Sequence, residues 1–119
     1  MYQIEFTIGG LPKNINNARM QWFIRHKENK KWKGLVALAI GVKTPPSPLA
    51  KAKLTLIRHS SSEPDFDGLV ASFKSIIDGL IECRVLENDR MSNIGQPDYK
   101  WKKAKPGAGM ITVKVEEIR

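Results

Sequence analysis

"EPDFDGLVASFKSIIDGL", residues 63–80, changes character at Gly68. Before it the chain is acidic and carries a proline; after it apolar residues recur at helical spacing. On a wheel of about 100° per residue, Leu69, Phe73, Ile76, Ile77 and Leu80 gather within one narrow stripe, which predicts a helix over 68–82 with that stripe facing a core. Asp67, Ala71, Lys74 and Asp78 fall on a second face, and the spacing of 74 and 78 suits an i,i+4 surface pair. Asp67 stands where an N-cap belongs, because a carboxylate there can accept from the free N–H groups of the first turn. A helix with one apolar stripe needs a sheet or another helix to lie on, so the remainder of the chain must supply it.

Working outward, "YQIEFTI" alternates loosely up to Gly9-Gly10 and predicts a strand over 2–8. "GLPKNINNARM" is a loop by its Gly, Pro and Asn content. Residues 21–40 read as a helix with a wet first half, "RHKENKKWK", and an apolar second half, "GLVALAI", stopped at Gly41. "KTPPSPLA" holds three prolines and is a connector, since proline has no N–H to donate. "AKLTLIRH" and "MITVKVEEI" alternate as strands, and "CRVL" reads as a short extended piece before the turn "ENDRMSNIG". "PDYKWKKAKPGAG" fits either an edge strand or a basic loop. The expected order is β-α-β-α-(β)-β: an α+β fold with two main helices on a mixed or antiparallel sheet. At 119 residues the chain makes one domain, 1–119, and its 41% apolar content supports one modest core.

The charge is unevenly placed. Residues 1–60 carry 11 Lys and Arg against Glu5 and Glu28, a net of +9, while residues 61–119 carry 9 against 10 acids, a net of −1. A basic half of this kind points to a polyanionic partner, nucleic acid first, because neutralised phosphates release counterions. "GLVALAIGV" is too short to cross a bilayer, and no basic amphipathic helix has an aromatic face suited to a membrane surface. "MYQIEFTIGG" has no basic segment ahead of an apolar stretch, so a cytoplasmic location is expected. Cys83 is the single cysteine, which fits a reducing compartment and a structural thiol.

Against this basic background the acids of 63–67 are unexpected. In an extended lead into the helix, Asp65 and Asp67 would point to one side. Two carboxylates so close repel unless a cation lies between them, and a hard ion such as Mg²⁺ takes oxygen ligands. "VLENDR" adds Glu87 and Asp89. A helix of roughly 15 residues is about 22 Å long, and the seven residues Cys83 to Asp89 can span about 23 Å, so Asp89 can return to the acidic pair. Capping and a polar turn account for the same residues without a metal.

At these positions the chain resembles the RusA-like Holliday junction resolvases, small Mg²⁺-dependent endonucleases common in phages and prophages. The likeness lies in "DFDGL" (Asp65, Asp67, Gly68, Leu69), in "KSIIDGL" (Lys74, Asp78, Gly79, Leu80) and in "VLENDR", where Asp89 matches the second acid of the family's later pair. Asn88 stands where the first acid of that pair is usual, although an amide can still offer a carbonyl oxygen. "LPKNINNARMQWFIRHKENKKWK" and "GMITVKVEEI" look like the family's opening segment and last strand. The resemblance implies hydrolysis of DNA phosphodiesters at four-way junctions, in recombination and repair. It implies Asp65, Asp67 and Asp89 as ligands of Mg²⁺ (Mn²⁺ as a substitute), Lys74 as the group that stabilises transition-state charge, and Asp78 as its support. It also implies a homodimer, whose two-fold symmetry matches that of the junction.

DNA contacts are expected from Arg25, Lys27, Lys30, Lys31 and Lys33, and from a second patch of Lys100, Lys102, Lys103 and Lys105 around Trp101. Trp22 and Trp32 are expected in the core, His59 as a polar strand-end residue, and His26 as a neighbour of phosphate. Asn14, Asn16 and Asn17 are expected to build a turn near the site. The alternative is a non-catalytic nucleic-acid-binding module in which the acids only cap and turn.

Overall fold

Two strands carry most of the core. β2 (Ala52–Ser60) and β4 (Met110–Glu117) pair antiparallel, with Leu54 opposite Val115 and Leu56 opposite Val113. All four of these side chains are fully buried. β1 (Gln3–Gly9) adds antiparallel to β4, and β3 (Asp98–Lys103) adds parallel to β2, giving the order β1-β4-β2-β3. The computed structural model describes residues 1–13 and 21–118, with Gln21 described in its backbone alone; Asn14, Asn16 and Asn17 lie outside the described residues. The fold is α+β with a mixed four-stranded sheet, as the sequence pattern predicts.

Alternation sends Ile4, Phe6, Ile8, Ile111, Val113, Val115, Ala52, Leu54 and Leu56 to one face, where the helices cover them. The other face carries polar side chains, with Thr7 and Thr112 hydroxyls 3.3 Å apart across β1 and β4. α1 (Gln21–Ile40) buries Trp32, Val36 and Ile40, a stripe at i, i+4, i+8. It packs on α3 (Lys74–Glu82) where Gly79 permits close approach: a Cβ there would sit 3.2 Å from Val36 Cβ and 3.3 Å from Lys33 Cα. The first two turns of α1 reach beyond the core. Trp22 through Lys27 are all exposed, so Trp22, expected in the core, lies outside it at 70% exposure.

The quoted stretch forms two helices rather than one. α2 (Phe66–Ser72) ends at Phe73, and α3 begins at Lys74. At the break the buried Ser72 hydroxyl donates to the Leu69 carbonyl at 2.8 Å, and the Phe73 N–H bonds Val70 at 3.1 Å. The apolar stripe survives the break, with Leu69, Phe73, Ile76, Ile77 and Leu80 all buried. "CRVL" is no sheet strand: Leu86 makes only an isolated bridge to Leu49, and Arg84 turns the chain with φ 65°. The bracketed strand of the expected order is instead β3, the edge strand reading of "PDYKWKK". Within "ENDRMSNIG" a short helix, α4 (Met91–Ile94), buries Ile94.

Candidate functional site

The acidic stretch is settled first by capping. Asp65 is the N-cap of α2: its backbone is extended (φ −71°, ψ 165°) and its Oδ1 accepts from the Gly68 N–H at 2.8 Å. Asp67, expected at that position, lies inside the first turn, because the helix starts two residues earlier than the apolar stripe indicated. With Asp67 helical, the alternation that would have aimed both acids to one side does not apply. Both are exposed at the start of α2, where the helix dipole favours negative charge. Asp65→Asn keeps a capping oxygen and removes the charge, so its thermal midpoint should stay near wild type. Asp65→Ala should lose about 1 kcal/mol. Equal midpoints for the Ala and wild-type proteins in a melting experiment would remove the capping role.

Lys74 organises the second part of the site. Its Nζ lies 3.2 Å from Asp78 Oδ1, one turn along α3, and 3.2 Å from Asp89 Oδ2, beyond the helix. Burial alone would lower the Lys74 pKa, but the hydrogen bonds to Asp89 and Asp78, with the charges of both, outweigh it and raise it above the usual lysine value. Asn88 Oδ1 accepts from the Asp89 N–H at 2.8 Å. The amide oxygen proposed as a possible metal ligand is therefore engaged in shaping the Asp89 turn. The partner that Asp89 meets is Lys74.

This cluster borders a cleft of about 540 Å³. One wall comes from Lys13 and from Arg25, Glu28 and Asn29 of α1, at i, i+3, i+4. The other comes from Lys74 and Asp89, with Tyr99 of β3 and an apolar floor that includes Val70, Ile77 and Ile94. Phe66 and Phe73 both approach Tyr99 with ring centroids 6.2 Å away, which ties the start of α2 and the α2–α3 break to the sheet edge. Burial raises the Tyr99 pKa against the opposing effect of Lys74, so the phenol stays neutral in the cleft. Glu28 is engaged: it accepts from Trp32 Nε1 at 2.8 Å and lies 3.8 Å from Lys13 Nζ. Tyr99, Asn29 and Lys13 escaped the sequence reading because nothing in their spacing links β3, α1 and the first loop to the acidic motif.

Among the described residues no three His, Cys, Asp or Glu side chains are grouped so as to hold an ion. One Asp65 oxygen serves the helix cap, and one Asp89 oxygen faces an ammonium group.

The expected DNA-binding cations are divided by the fold. Arg25 faces the cleft, Lys33 is 3.0 Å from Glu82 of α3, and Lys31 lies 5.6 Å from the Trp32 ring centre. Lys27, Lys30 and Lys31 are exposed on α1. The second patch is not centred on Trp101. Register places Trp101 beside Arg58, and Lys100 and Lys102 beside Ile57 and His59 on the opposite face. Trp101 Nε1 donates to the buried Ser60 hydroxyl at 3.0 Å, and Lys103 ends the strand opposite Ser60. His59 Nε2 lies 3.0 Å from the Thr112 hydroxyl within the sheet face. No described helix is long and apolar enough to cross a membrane. No family model matches this chain, and no curated protein matches it.

Proposed function

We propose that the chain is a structure-selective endodeoxyribonuclease that cuts branched, four-way DNA by hydrolysing a phosphodiester, acting as a homodimer in the cytoplasm. The observation that carries the reading is one juxtaposition: Lys74 and Asp89, fifteen positions apart, meet in the lining of a cleft that Lys13 and Arg25 also line. In this reading Arg25 and Lys13 hold a backbone phosphate by charge. The Lys74 ammonium, oriented by Asp78 and Asp89, faces the extra negative charge that develops on phosphorus-bound oxygen as water attacks. Mg²⁺, with Mn²⁺ as a substitute, remains the ion implied by the RusA-like resemblance, with Asp65, Asp67 and Asp89 as its ligands.

A second reading, a non-catalytic nucleic-acid-binding module, is favoured by the occupied acids: Asp65 caps a helix and Asp89 neutralises a lysine. Incubation with a synthetic four-way junction and with linear duplex, in Mg²⁺ or in a chelator, separates the two. The nuclease cuts the junction with Mg²⁺ and not with the chelator; the module binds both DNAs and cuts neither. On either reading affinity should fall at least about tenfold between roughly 50 and 200 mM salt, because several phosphates are neutralised. Salt-independent binding would remove nucleic acid as the partner.

A further inference from the structure

The exposed first turns of α1 have features that phosphate binding does not require. Trp22 and Phe23 are 70% and 72% exposed, with ring centroids 4.9 Å apart in an edge-to-face pair. The His26 ring lies parallel to Trp22, 7° between planes and 5.8 Å between centroids. Large aromatic side chains seldom stand this open unless something covers them. Their surroundings indicate what does. From Trp22 to Lys33 the helix carries five cations and a single acid, Glu28, whose carboxylate is already engaged by Trp32 and Lys13. Open aromatic rings beside solvated lysines are the elements from which single-stranded nucleic acid is bound: rings stack on bases and cations follow the phosphates.

We propose that Trp22 and Phe23 form a stacking platform for unpaired bases, with Lys27, Lys30 and Lys31 neutralising the adjoining phosphates. The inference rests on the nucleic-acid part of the reading above and not on cleavage. It names as ligand a strand whose bases are open, such as the unstacked centre of a branched DNA, rather than paired duplex, where base faces are hidden. A second copy of this chain suits the surface less well, since two-fold pairing of this segment would oppose two strongly cationic stretches.

The test uses the full chain and two fluorescein-labelled probes: an oligothymidine of about 16 nucleotides and a blunt duplex of the same length. Trp22→Ala and Phe23→Ala should each weaken oligothymidine binding at least about fivefold, while duplex affinity changes less than about twofold. Trp22→Phe should restore most of the loss. Oligothymidine should quench the intrinsic fluorescence of wild type more than that of Trp22→Ala, because Trp32 is buried and Trp101 is half-buried with its Nε1 bonded to Ser60. Unchanged oligothymidine affinity, or equal losses on both probes, overturns the platform. So does a Trp22→Ala protein that turns from dimer to monomer in sedimentation with unaltered affinity per chain, which would assign the surface to a second copy. Trp22-dependent binding without junction cleavage sinks the nuclease and leaves the platform standing. Junction cleavage with normal oligothymidine binding by Trp22→Ala does the reverse.

Discussion

Trp32→Ala is expected to cost about 3–5 kcal/mol, a large part of the roughly 5–15 kcal/mol that holds a domain of this size together. Trp32 is 1% exposed and is the largest side chain in the core. It lies where α1 meets the end of β1, close enough that a Cβ on Gly10 would contact its ring at 3.9 Å. Truncation removes the apolar contact and leaves a cavity that the surrounding helix and strand can close only in part. It also removes the indole N–H from the Glu28 carboxylate, which is 12% exposed and would keep only a distant Lys13 at 3.8 Å. A urea titration followed by circular dichroism reads the loss. Trp22→Ala is the internal comparison: the same substitution on the same helix at an exposed site should change stability by less than about 0.5 kcal/mol. Equal denaturation midpoints for Trp32→Ala and wild type would mean that α1 does not dock as described.

Lys74→Met should lower junction cleavage by a factor of about 100 or more, the usual cost of removing one donor from a developing oxyanion. Stability should change little, because Lys74 is 65% exposed and ion pairs at such sites contribute little after solvent screening. That contrast separates a role in chemistry from a structural one. The pH dependence has a definite sign. The Lys74 pKa is raised, so the pair's contribution is present at neutral pH and is lost only as pH rises through that raised value, above the ordinary lysine range. Cleavage should therefore show no loss from Lys74 deprotonation between about pH 6 and 9. A Lys74→Met protein that cuts a four-way junction at the wild-type rate would leave the cluster as a surface ion-pair network.

Much of the framework was legible because its rules are local. Alternation found β1, β2 and β4, and the 3.6-residue period found α1 and the buried stripe of α2 and α3. Three features escaped for identifiable reasons. The helix start moved to Phe66 because Asp65 caps it, and a wheel detects the apolar stripe but not the polar turn ahead of it. The helix broke at Phe73, where the backbone N–H bonds Val70 and the Ser72 hydroxyl bonds Leu69, local bonds that apolar periodicity does not register. "CRVL" has strand-like residues, but the end of α3 turns it away from the sheet, and β3 takes the place beside β2.

The sequence by itself determined the element types, the apolar stripe, the basic first half and the acidic motif, since each follows from the order of neighbouring side chains. Only the tertiary structure decided which tryptophan of α1 is buried, that Asp89 meets Lys74, and that Lys13, Arg25 and Tyr99 share one cleft. Those outcomes depend on how far each helix extends over the sheet and on which face register gives each strand. Both are set by packing between residues distant in the chain, which neighbouring side chains do not encode.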